Sequence, residues 1–233
     1  MKNIVVIGAG KGIGLATAKL LSQEHEVYAL TKTFSNELDA LPVEQILFHS
    51  LENDAAQLSS LPDEIHGLVY CPGSINLKPF HRLTEQDFLN DFYQNVLGAV
   101  RVIQQLLPKI KKSGGASIVM FSTVASKLGM PFHASIAVSK SAVEGLTKSL
   151  AAELSAANIR VNCIAPSITD TSLADRILGS DEKREASANR HPLKAIGSPD
   201  EMAALTGFLL SDNASWITGQ IIGVDGGLGS VKL

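Results

Sequence analysis

The chain predicts a doubly wound α/β domain, a mostly parallel sheet with helices on both faces. Three observations carry that prediction. Short apolar runs rich in branched residues alternate with amphipathic stretches along the whole length. The first run opens directly into a glycine-rich turn and then a helical pattern. No repeat, low-complexity tract or linker divides the 233 residues, so a single domain spanning 1–233 is expected.

The elements follow in order. Strands are predicted at 4–7, 27–30, 45–48, 67–71, 117–121, 161–165 and 221–224, each a short run of the branched and aromatic residues that suit a buried strand. Helices are predicted between them at 14–23, 84–110, 135–156 and 199–210. In the third helix Val143, Leu146, Leu150 and Leu154 recur at helical spacing and define a stripe facing the core. Pro108 predicts termination or a kink near the end of the second, because proline removes one helical hydrogen bond. The segment 169–197 is polar, charged and poor in strand signals, which makes it a lid or substrate loop or else an ordinary surface excursion.

Composition narrows the function. Hydrophobic residues make up 45% and charged residues 18%, which argues against disorder. Twenty basic residues face 23 acidic ones, so no global field draws nucleic acid or an anionic membrane. The dense basic cluster Lys109, Lys111 and Lys112 falls at a helix end, where cations suit the dipole. Cys71 and Cys163 lie in apolar runs with no partner at metal-ligand spacing; they read as buried inert thiols in a reducing compartment, and no metal is expected. The opening apolar run is too short for a signal peptide or a membrane span, so a cytoplasmic protein is expected.

The turn Gly8-Ala9-Gly10-Lys11-Gly12-Ile13-Gly14 carries the first chemical signal. Glycines after a first strand let backbone amides approach a pyrophosphate at the helix N-terminus. The spacing departs from G-x-G-x-x-G, since Ile13 takes the last place counted from Gly8, and it lacks the lysine-hydroxyl ending of an ATP-binding P-loop. The second strand ends in Thr31-Lys32 with no carboxylate to hold ribose hydroxyls. Lys32 and Lys11 are instead available for a 2′-phosphate, which favours NADP(H) over NAD(H), although both lysines also read as solvated surface charge.

This turn, Asn95, the segment leading to Lys140 and the C-terminal run from Ile217 to Gly227 together resemble the short-chain dehydrogenase/reductase family over nearly the whole chain. The branch it looks most like is the 3-oxoacyl thioester reductases. The resemblance implies a seven-stranded Rossmann-type sheet, a nicotinamide cofactor, a small-molecule substrate and a homo-oligomer, tetramer or dimer. It assigns Gly8, Gly12, Ile13 and Gly14 to the dinucleotide turn. Ser50 and Leu51 replace the pair that holds adenine. Cys71, Pro72 and Gly73 stand at the loop after the fourth strand, retaining only its glycine. Pro166 and Ser167 replace a proline-glycine pair, with Thr169 and Thr171 placed to meet the carboxamide. Lys140 matches the lysine on the nicotinamide ribose, and Asn95 the asparagine of the proton relay. The serine position falls on Thr123, with Ser122 beside it; both hydroxyls also read as local backbone partners.

The departure that matters most is Ile136, where the resemblance predicts the proton-donating tyrosine one helical turn before Lys140. Isoleucine carries no acid. His133, two helical turns before Lys140, looks like a histidine in the tyrosine position of enoyl thioester reductases, or is a loop histidine at a helix start. Three readings follow. One is an NADP(H)-linked carbonyl reductase using Thr123, Lys140, Asn95 and either His133 or a relayed water. Another is a C=C reductase in which His133 supports an enolate. The third is a non-catalytic NADP(H)-binding subunit that senses the nucleotide or supports an active paralogue.

Overall fold

The computed structural model describes residues 1–50 and 55–232. Seven strands form one sheet: β1 (Asn3–Ile7), β2 (Glu26–Thr31), β3 (Val43–Leu47), β4 (Gly67–Tyr70), β5 (Ala116–Phe121), β6 (Ile159–Pro166) and β7 (Ile221–Val224). Their order is β3-β2-β1-β4-β5-β6-β7 and every pairing is parallel. The order reverses between β1 and β4, which opens a crevice at their carboxyl ends; ligands of such sheets bind there.

Strand alternation builds two cores. Val5 and Ile7 face one side with Leu68, Ile118 and Val161, and this side is covered by helices α5 (Gly98–Lys112) and α6 (Ala134–Leu154). Ile4 and Val6 face the other side with Val69, Val119 and Ile164, under α1 (Gly12–Leu21) and α9 (Pro199–Leu210); the short helices α2 (Asn36–Asp39) and α3 (Ala55–Ser59) follow β2 and β3. The predicted stripe of α6 meets the first core through Val143 and Leu154, with Leu146 and Leu150 partly buried against it. Burial at about 25 cal/mol per Å² of apolar surface on both faces is what holds the sheet ends in place around the crevice.

The single helix expected over 84–110 is corrected. It begins at α4 (Glu85–Phe92), capped by Thr84 and Asp87 in a capping box, then passes through a π-helical turn, Tyr93–Leu97, before α5. The π turn has a side-chain cause. Tyr70 of β4 donates its hydroxyl to the Gln94 carbonyl at 2.8 Å. A β-carbon on Gly98 would lie 2.2 Å from that hydroxyl oxygen, so only glycine leaves room. Nor does Pro108 end the helix, which continues to Lys112. Pro108 and Gln104, whose carbonyl loses its partner, are both on the solvent side, where water satisfies the carbonyl.

The basic helix end is tied to its surroundings. Lys109 donates to the backbone carbonyls of Ser59 and Leu61, and Lys112 pairs with Asp63 at 2.8 Å. The polar segment 169–197 returns to its start through a bridge between Thr169 and Gly197 and carries α7 (Asp175–Leu178) and α8 (Asp181–Asn189). No helix among the described residues is long and apolar enough to cross a membrane.

Candidate active site

Two adjoining cavities lie at the crevice. The first, about 420 Å³, is lined by the glycine turn, Thr31, Lys32, Ser50, Cys71, Pro72 and Gly73. In the turn, Gly8 and Gly12 have φ of 78° and 55°, a conformation that favours glycine. Gly14 is fixed by contact: a β-carbon there would meet the Gly8 carbonyl oxygen at 2.2 Å. Lys11, the extended residue before α1, makes no side-chain cap bond, so the first-turn amides stay available to an anion. Gly10 lies against Thr31, whose buried hydroxyl has no partner. Lys11 and Lys32 both line the cavity, and no carboxylate does among the described residues. These features fit a dinucleotide. Leu51 falls outside the described residues.

The second cavity, about 230 Å³, is mostly apolar. Ser122, Thr123, His133, Lys140, Pro166, Ser167, Thr169 and Thr171 all reach it, with Phe121 and Ile136 beside them, so predicted site residues from three separate parts of the chain are brought together. Ile136 is buried in its wall and Lys140 lies one helical turn further along α6. None of the three tyrosines lines either cavity. Tyr70 is committed beneath the π turn, with burial pushing its phenol up to about 12.

Lys140 is 8% exposed and donates to the Phe121 carbonyl at 2.9 Å. Burial lowers its pKa from 10.5 to about 8, partly opposed by Cys163, Cys71 and Asp91. Asn95, held by the π turn, donates its amide nitrogen to the Asp91 carbonyl at 2.7 Å, while its buried carbonyl oxygen has no partner. A β-carbon on Gly73 would lie 3.5 Å from both that oxygen and the Lys140 nitrogen. Asn95, Lys140 and Gly73 thus converge on one point.

The two hydroxyls differ. Ser122 donates to Glu144 at 2.6 Å and also contacts Ser126, so its hydrogen bond is spent on α6. Thr123 accepts from the Ala125 amide at 3.3 Å, which leaves its own O–H to donate into the cavity. His133 is set at the start of α6 by Phe132, whose φ of 68° reverses the chain, and its Nδ1 meets the Pro131 carbonyl at 2.6 Å. The expectation that both cysteines are buried is corrected for Cys71, which is half-buried at the end of β4 and lines both cavities; burial pushes both thiols up to about 12.

Sequence reasoning missed the buried carboxylate Asp91, which receives hydroxyls from Ser74 and Ser135. An acid at a core-facing position of an amphipathic helix was the available signal.

A family model described as Enoyl-(Acyl carrier protein) reductase matches residues 8–229. The 3-oxoacyl-(acyl-carrier-protein) reductase FabG of Thermotoga maritima is 32% identical over 97% of each chain. The chain belongs to the short-chain dehydrogenase/reductase family. It shares that family's oxidoreductase fold with a short-chain type dehydrogenase/reductase from Mycobacterium ulcerans, at 30% identity and a TM-score of 0.91 over 98% of this chain and 90% of that one. A Beutenbergia cavernae structure described as an NAD(P)-dependent gluconate 5-dehydrogenase with bound NADP superposes with a TM-score of 0.89 at 26% identity, covering 99% and 97%. The family is one of NAD(P)(H)-dependent oxidoreductases.

Proposed function

We propose that the protein is an NADP(H)-dependent reductase of a carbonyl in an acyl thioester or another small molecule, with Lys140 delivering the proton. The convergence of Lys140, the orphaned Asn95 oxygen and Gly73 beside Ile136 carries this reading. When bound, the nicotinamide supplies a hydride to the carbonyl carbon. Thr123 holds the carbonyl oxygen by a hydrogen bond. As the C=O π bond opens, the alkoxide takes a proton from the Lys140 ammonium, whose lowered pKa suits it as an acid near neutral pH. Asn95 orients a water through which Lys140 is reprotonated from solvent.

The remaining assignments support the same reading. The glycine turn and first-turn amides of α1 take the pyrophosphate, Lys11 and Lys32 the 2′-phosphate, and Ser50 the adenine side. Pro166, Ser167, Thr169 and Thr171 border the nicotinamide end. The segment 169–197 acts as a lid, since Leu173, Ala174 and Ile177 cover the apolar cavity. Unpaired cysteines fit the cytoplasm, and the family resemblance fits a homo-oligomer.

The His133 reading is kept because His133 lines the same cavity and the matching family model is described as an enoyl reductase. NADPH oxidation on 3-oxoacyl and 2-enoyl thioesters separates the alternatives. Oxoacyl turnover that survives His133→Phe and falls on Thr123→Ala supports the proposal. Enoyl turnover lost on His133→Phe replaces it with C=C reduction. Tight NADPH binding with no turnover on either series, or on small ketones and aldehydes, assigns a non-catalytic subunit.

A further inference from the structure

Behind Asn95 lies a carboxylate that the mechanism above does not use. Asp91, on α4, is 2% exposed. Its Oδ1 accepts from Ser74 Oγ at 2.6 Å and its Oδ2 accepts from Ser135 Oγ. Ser74 follows Gly73 at the β4 loop and lines the substrate-side cavity; Ser135 immediately precedes Ile136 on α6. Asp91 therefore joins the three elements that assemble the site. Burying a carboxylate is costly unless it is hydrogen-bonded and opposed by a positive charge. The hydroxyls supply the first; Lys140 is the candidate for the second.

The hydrogen bonds have one direction. A carboxylate only accepts, so Ser74 must donate to Asp91 and can only accept from its other neighbour. That neighbour is Asn95 Nδ2, at 3.1 Å, whose second hydrogen goes to the backbone carbonyl of Asp91. With both amide hydrogens committed on this side, the Asn95 oxygen is left without a partner beside Gly73, where a β-carbon would lie 3.5 Å from it and 3.5 Å from the Lys140 nitrogen. The hydrogen bonds run head to tail from carboxylate through hydroxyl to carboxamide, and the free carboxamide oxygen and the Lys140 nitrogen both approach the same position over Gly73.

We propose that Asp91 is a positioning residue: the buried counter-charge of Lys140, coupled to it through Ser74 and Asn95, which keeps the Asn95 oxygen aimed at the lysine and the lysine in its ammonium form. The titratable groups whose charge bears on Lys140 are Cys163 on β6, Cys71 just after β4 and Asp91 on α4. Burial keeps both thiols protonated at neutral pH, which leaves Asp91 as the acid that opposes the ammonium's desolvation. In a chain without the phenol at position 136, holding the charge on the lysine is what sustains proton delivery. That last step rests on the reductase reading; the counter-charge does not.

The test is an NMR titration of Lys140 in the full chain, with lysines labelled at the side-chain carbon next to the nitrogen and the signal assigned with Lys140→Arg. In Asp91→Asn the Lys140 midpoint is expected to fall by about half a pH unit or more, since a counter-charge favours the charged form. Ser74→Ala is expected to move it in the same direction by less. A folded Asp91→Asn with an unchanged midpoint overturns the proposal; should that variant fail to fold, an unchanged midpoint in Ser74→Ala overturns it. Asp91→Asn combined with Asn95→Ala distinguishes coupling from general loosening, because the two shifts are less than additive only if they share one path; full additivity overturns the route through Asn95. A shifted midpoint in a protein that turns over no substrate refutes the reductase reading and leaves the counter-charge standing.

Discussion

Replacing Lys140 by methionine is expected to make the protein more stable at neutral pH while removing its activity. The ammonium is 8% exposed, and burial holds its pKa at about 8 against 10.5 in the unfolded chain. A shift of that size corresponds to roughly 3 kcal/mol favouring the neutral lysine in the folded state. The sign follows from proton counts. Between pH 8 and 10.5 the unfolded chain binds more protons at this site than the folded one, so folding stability rises with pH across that window. Below pH 8 the whole penalty is present. Methionine removes the charge with similar length, but it leaves the Phe121 carbonyl without its donor, a loss of about 1 kcal/mol. The net expectation at pH 7 is therefore a gain of about 2 kcal/mol. Urea unfolding of both proteins at pH 7, 8.5 and 9.5 measures it, and the advantage of the variant should shrink as pH rises. A variant less stable than the wild type at pH 7, or a difference that does not change with pH, would refute the reasoning.

The other predictions concern cofactor and scaffold. Gly14→Ala places a methyl 2.2 Å from the Gly8 carbonyl, so NADPH affinity measured by nucleotide fluorescence should fall by about 100-fold or more, beyond any loss of stability. Lys11→Glu with Lys32→Glu should weaken NADPH at least about tenfold and leave NADH within a few-fold, because only the 2′-phosphate faces these charges; equal losses for both nucleotides would count against the assignment. Gly98→Ala collides with the Tyr70 hydroxyl and should cost about 2–3 kcal/mol of stability in chemical unfolding. Adding Tyr70→Phe should recover part of it by removing the oxygen, and no recovery would show that the π turn has another cause.

The sheet was legible because its central strands β1, β4, β5 and β6 are short runs of mostly apolar residues at buried positions, and the helix stripes repeat at a period that only one face can satisfy. Residues 143, 146, 150 and 154 are an example, since spacing alone determined their common face. The glycine turn was equally readable, as φ and close approach both demand glycine at particular places. What sequence hid depends on partners distant along the chain. The π turn arises from Tyr70 and Gly98 meeting across strand and helix, so the run from 84 to 110 read as one helix. Pro108 read as a stop or a kink because its exposed face, which makes the missing hydrogen bond tolerable, is a tertiary property. Asp91 was overlooked for the same reason: its two serine partners are 17 and 44 residues away. Ile136 was the opposite case, a local departure visible at once whose consequence needed the geometry of Lys140 and Asn95.

The deciding question is whether the pocket completes carbonyl reduction with Lys140 as the proton donor and no aromatic acid. The deciding measurement is the initial rate of NADPH oxidation on a 3-oxoacyl thioester for the wild type, Lys140→Ala and Ile136→Tyr. Measurable wild-type turnover that falls by about 10²–10⁴ in Lys140→Ala, and rises in Ile136→Tyr, is the predicted result. A silent wild type beside an active Ile136→Tyr would contradict it, showing a cofactor pocket that lacks its acid, as would wild-type turnover indifferent to the loss of Lys140.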